Sequence, residues 1–83
     1  MDHYFFDWRD NEELEVDDYG IDLPDLQAVK VEASRALIER ASEVFPGSER
    51  HSLSIEVRDE SDHPVLSVIL ILEIRILASV PPQ

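Results

Sequence analysis

The chain has 83 residues, 43% of them hydrophobic, with no cysteine and with 19 acids against 7 bases for a formal charge of -12. That is material for one small domain over residues 1–83 with a single core, and it excludes a disulfide framework and a cysteine-ligated zinc site. The charge also disfavours direct binding to nucleic acid or to an anionic membrane, both of which recruit Lys and Arg.

From His3 to Arg9, Tyr4, Phe6 and Trp8 alternate with Phe5, Asp7 and Arg9, which predicts a strand with one strongly apolar side. Asp10, Asn11 and Glu12 are turn chemistry. Leu14 and Val16 then alternate with Glu13, Glu15 and Asp17, as a short second strand with one wet face does. Asp18-Tyr19-Gly20 breaks it, and Ile21 to Leu23 stays extended because the residue before Pro24 is pushed out of the helical region.

A helix is expected over about 24–45, with Asp22 as its cap, Pro24 in the first turn and Asp25 at the positive end of the dipole. Leu26, Val29, Ala33, Leu37, Ala41 and Val44 form its apolar stripe. Phe45-Pro46-Gly47-Ser48 supplies the stop. Beyond it, Leu53, Ile55 and Val57 alternate with Ser54, Glu56 and Arg58. A loop over residues 59–63 and a last strand over 64–77 complete a hairpin. The pattern predicts an α+β fold, a small antiparallel sheet in β-β-α-β-β order with one long helix on one face.

The last strand is apolar on both sides, with Val65, Ile69 and Ile71 on one and Leu66, Val68, Leu70, Leu72, Ile74 and Ile76 on the other. One helix covers one face, so the other face is expected to need a second cover. The simplest is another copy of the chain, a homodimer through Val65, Ile69, Ile71, Ile74 and Ile76; the alternatives are that residues 73–83 fold back over it or form a loose tail. The most apolar run, residues 65–72, is far shorter than the roughly 20 residues a membrane span needs. The opening residues carry no basic and apolar leader, so a cytoplasmic protein is expected.

No constellation for catalysis stands out, so a non-enzymatic protein is expected. His3, His51 and His63 lie far apart in the chain, no serine sits in a G-x-S-x-G elbow, and two glycines cannot build a phosphate loop. The run Asp10–Asp18 fails the EF-hand pattern, because a Glu stands where that loop turns on Gly. No metal and no cofactor are expected. Asp10, Glu12, Glu13, Glu15, Asp17 and Asp18 instead form a candidate surface for a basic partner protein. Phe6 and Trp8 lack the Lys and Arg rim of a base-stacking platform and are expected in the core.

Tyr4-Phe5-Phe6-Asp7, Arg9-Asp10, Asp17 with Gly20, Leu23-Pro24-Asp25-Leu26, Ala28, Glu32-Ala33 and Val57-Arg58-Asp59-Glu60 occur in an order that resembles a family of small alphaproteobacterial proteins of unknown function. The resemblance implies a bacterial protein and brings no activity with it. The Gly usual to that family in the first turn and last hairpin is replaced here by Asn11-Glu12 and Ser61-Asp62, and the aliphatic ending departs from it. A second resemblance, to HicB-type antitoxins, rests on the Pro-Asp-Leu ahead of an Ala/Glu-rich helix. It implies an acidic inhibitor of a basic partner, as the alternative to a homodimeric protein-interaction module with an accessory or stress-related role.

Overall fold

The computed structural model describes residues 1–44 and 49–78. Six elements follow one another: β1 (Asp2–Asp10), β2 (Glu13–Glu15), β3 (Ile21–Leu23), α1 (Leu26–Ala41), β4 (Arg50–Asp59) and β5 (Pro64–Glu73). The strands form one antiparallel sheet in the order β2-β1-β4-β5, with β3 pairing the start of β1. The expected α+β fold is present with one more strand than the pattern announced, because the extended segment Ile21–Leu23 pairs with Asp2–Tyr4.

The core forms where the period-2 faces of β1 and β4 meet the stripe of α1. Phe6 lies opposite Val57 and Trp8 opposite Ile55. Tyr4, Phe6, Leu53, Ile55 and Val57 are buried together with Val29, Ala33 and Leu37 of the helix. Leaving water stabilises each of Val29 and Leu37 by about 2 kcal/mol. Trp8 is half-buried at the rim, with the Arg40 guanidinium 5.8 Å from its ring centre.

The helix is shorter than expected at both ends. Asp25, extended at φ -160°, is the cap, and its carboxylate accepts the Ala28 N–H at 2.8 Å. Asp22 is not the cap; it sits in β3 and pairs with His3 instead. Pro24 therefore precedes the helix and holds the entering chain extended. At the far end the Ser42 hydroxyl donates to the Glu39 carbonyl at 2.7 Å. The N–H groups of Glu43 and Val44 then bond only three residues back, so the helix tightens and stops before 45. The expected stop at 45–48 lies outside the described residues.

Two expectations about exposure are corrected. Leu14 and Val16 bury no face, being 51% and 52% exposed, because β2 lies beyond the reach of α1. The helix-free face of the sheet is polar over most of its width, with Asp7, Arg9, Ser52, Ser54, Glu56, Arg58 and Ser67 on it, so only its β5 margin needs a cover. β5 also ends at Glu73: Ile74 makes a last bond to Glu49, and Ile76 lies past the strand.

Candidate functional site

Two features concentrate the polar chemistry and the exposed apolar surface, one at each margin of the sheet. At the β1 margin, β2 covers Trp8–Asp10 and β3 covers Asp2–Tyr4, leaving a gap at Phe6. Asn11 donates its N–H to Ser52 of β4, so by the two-residue period the even-numbered residues of β1 point their backbone groups the other way, into that gap. Neither β2 nor β3 receives the Phe6 N–H. Asp17 receives it, through Oδ2 at 3.0 Å.

Asp17 is tied down from every side. Its Oδ1 accepts the N–H groups of Tyr19 and Gly20 at 3.0 and 3.1 Å. Its own N–H donates to Asp7 Oδ1 at 2.9 Å, and its carbonyl accepts Arg58 Nη2 at 2.8 Å. Arg58 also pairs with Asp7 (2.9 Å) and Asp62 (2.8 Å) and lies 4.4 Å from the Phe5 ring centre. Burial acts to raise the Asp17 pKa, but the N–H bonds of Phe6, Gly20 and Tyr19, with the Arg58 charge, outweigh it and leave the carboxyl below its ordinary value. Asp7, Asp17, Gly20 and Arg58, which belong to separate short motifs, thus form one clasp.

Gly20 has a backbone reason to be glycine. Its φ is +69°, and a Cβ there would stand 2.6 Å from both His3 Nε2 and the Tyr4 carbonyl oxygen. That close approach lets His3 bridge the turn: Nδ1 meets Asp22 Oδ1 at 2.6 Å and Nε2 meets the Tyr19 carbonyl at 2.8 Å. Both ring nitrogens face acceptors, which only the doubly protonated imidazolium satisfies. The Asp22 hydrogen bond, then the Tyr19 carbonyl, raise its pKa above 6.5.

A raised folded-state pKa stabilises fully below about 6.5, and that stabilisation is lost as pH rises through the folded value. NMR titration of His3 should give a midpoint above 6.5, and His3→Gln should remove that part of the stability difference between pH 6 and pH 9. A midpoint at or below 6.5 overturns this.

The candidate partner acids divide. Asp17 is held in the clasp and does not share an open face with Glu13 and Glu15. Asp10 Oδ1 lies in hydrogen-bond contact with His51 Nε2 at 2.6 Å. Glu12, Glu13, Glu15 and Asp18 stand exposed along the β2 margin. Among the described residues no group of three His, Cys, Asp or Glu is placed to hold a metal ion. His51 also lines an apolar cleft of about 30 Å³ with Ala41, Val44, Leu53, Leu70 and Leu72, room for little more than one water. His63 is 77% exposed, with Nδ1 3.8 Å from Asp59. Among the described residues no serine lines the cleft.

At the other margin, among the described residues, β5 pairs with β4 on one side only. Val65, expected on the face of Ile69 and Ile71, packs against the core together with Leu66 and Val68, beside the register shift opposite Val57 and Arg58. Past them α1 runs out, and Leu70 and Leu72 are 36% and 48% exposed. On the helix-free side Ile69 and Ile71 are 63% and 46% exposed. Of the strand residues proposed for dimer contact, Val65, Ile69 and Ile71 lie in β5; Ile74 and Ile76 follow its end and are exposed. Among the described residues no helix is long and apolar enough to cross a membrane.

A family model described as a domain of unknown function (DUF6894) matches residues 3–71. That span contains the clasp and all but the last residues of β5. No curated protein and no solved structure matches the chain.

Proposed function

This chain belongs to the DUF6894 family, a domain of unknown function, and from that premise we propose that it is a non-enzymatic protein-interaction module working as a homodimer in the cytoplasm of a bacterial cell. One observation carries the reading. Among the described residues β5 is a free edge ten residues long, aliphatic on both faces, in an otherwise strongly acidic chain. Soluble proteins blunt such edges with charge, proline or short length; here the stretch from Val65 to Leu72 has none of these. Pairing of the edge satisfies its backbone groups and covers the exposed aliphatic rows together. The commitments of His3 to the turn and of His51 to Asp10 support the non-enzymatic part of the reading. The cysteine-free, acidic composition supports the cytoplasm.

Light scattering on a sizing column tests it. The full chain at micromolar concentration should have twice its 9.5 kDa mass. A monomer at every concentration sinks the homodimer, and so does a stable complex with a basic protein that occupies the β5 edge in its place.

A further inference from the structure

The homodimer leaves open which rows of the two edges meet, and any register for the seam rests on that reading. Ile74 donates its N–H to the Glu49 carbonyl at 2.7 Å, toward β4. By the two-residue period, the even-numbered residues of β5 turn their backbone groups to β4. As far back as the register shift opposite Val57 and Arg58, the odd-numbered ones, Ser67, Ile69, Ile71 and Glu73, turn theirs to the open edge. Two copies meeting there antiparallel must set odd residues against odd, so the two-fold axis passes through a residue and never between two.

Only a short set of registers satisfies that condition, and side-chain chemistry separates them. An axis at Ile69 sets Ile71 against the partner's Ser67 and Glu73 against the partner's Val65. An axis at Ile71 sets Ile69 against the partner's Glu73. Each buries a hydroxyl or a carboxylate against an aliphatic row. An axis at Leu70 sets Ile69 against the partner's Ile71, Val68 against the partner's Leu72 and Leu66 against the partner's Ile74. Ser67 then meets the partner's Glu73, polar against polar.

The run is near-palindromic in hydropathy about Leu70, which an unrelated partner strand would not require and a second copy does. Charge supports the same occupant. Residues 64–72 carry no ionisable side chain in a chain of net charge -12, so two copies approach here with the least repulsion. We infer that β5 pairs antiparallel with β5 of a second copy about a two-fold axis through Leu70, joining the two sheets into one.

The chain has no cysteine, so single cysteines report the register directly. At the axis, Leu70 and its counterpart form a non-hydrogen-bonded pair with Cα atoms about 4.5 Å apart, inside the range a disulfide spans. Ile69 and its own counterpart are diagonal neighbours about 7–8 Å apart, outside it. Under mild oxidation Leu70→Cys should become a covalent dimer at least about tenfold faster than Ile69→Cys or Ile71→Cys alone. Mixing the latter two should yield the cross-linked pair. Faster self-linking of Ile69→Cys or Ile71→Cys overturns the register while leaving the homodimer standing; a wild-type monomer by light scattering overturns both. Amide exchange on the unmodified chain guards against a variant that folds poorly. The Ile69 and Ile71 amides should slow as concentration rises, and concentration-independent exchange in a chain that scatters as a dimer also overturns the pairing.

Discussion

Asp17→Ala should cost about 3 kcal/mol of folding stability, which for a chain of this size lowers Tm by roughly 12–24 °C. In sequence the side chain is one more acid in an acidic run, but in the fold it takes the place of a missing strand. β2 and β3 flank β1 without touching Phe6, and the Phe6 N–H is left for Asp17 alone. Truncation strands that donor in a part-buried position and releases the Tyr19 and Gly20 N–H groups of the turn. With the turn loosened, β3 loses its guide back onto β1, and His3 loses the Tyr19 carbonyl.

Asp17→Asn keeps one acceptor oxygen and should recover part of the loss. The carboxylate's contribution also has a pH signature. Its folded-state pKa is lowered, so the stabilisation is complete above the ordinary carboxylate range near 3.8 and is lost as pH falls through the lowered value. Denaturant titrations at pH 7 and pH 3 should show a smaller acid loss in the Ala variant than in the wild type. A cost below about 1 kcal/mol at pH 7, the scale of one ordinary hydrogen bond, refutes the assignment.

What was legible in the chain was whatever has a period. Tyr4, Phe6 and Trp8, then Leu53, Ile55 and Val57, announce core-facing strands, and Val29, Ala33 and Leu37 announce the buried stripe of a helix. Three residues between a turn and a proline carry almost no period, so Ile21–Leu23 reads as an extended segment, and its pairing shows only in its register against Asp2–Tyr4. Two aspartates flank Pro24, and local chemistry does not choose between them as cap. The pairing of Asp22 with His3, nineteen residues away, decides it.

The clasp shows the same division between local and long-range information. The Asp17-x-x-Gly20 spacing is the local sign of a carboxylate folding onto its own turn. The reach of Asp17 to Phe6 and of Arg58 to Asp7 closes over distances the chain does not advertise. Opposite charges spread over Asp7, Arg9, Glu56 and Arg58 made the helix-free face self-sufficient, which the aliphatic margin of β5 had concealed. With the need for a cover confined to that margin, the free edge and its side chains become one interface problem.

Replacing Ile69 and Ile71 together by Lys should therefore abolish the dimer and spare the monomer. Both side chains project from the helix-free face beside Ser54 and Ser52, and both are already largely in water. Lysine stems lie comfortably on an exposed edge and its ammonium reaches solvent, so helix content and Tm measured on the isolated monomer should hold. In the dimer each substituted position faces the other across the seam. The variant loses four buried isoleucines and sets like charges opposite one another in two rows. A loss of even about 2.8 kcal/mol is about a hundredfold in Kd, and the combined effect should exceed that. Val31→Lys with Ile38→Lys is the matched control. It adds the same two charges at side chains 54% and 65% exposed on the outer face of α1, far from the seam. The control should keep the dimer mass and the β5 variant should scatter as a monomer. The reverse result would move the interface from the sheet edge to the helix.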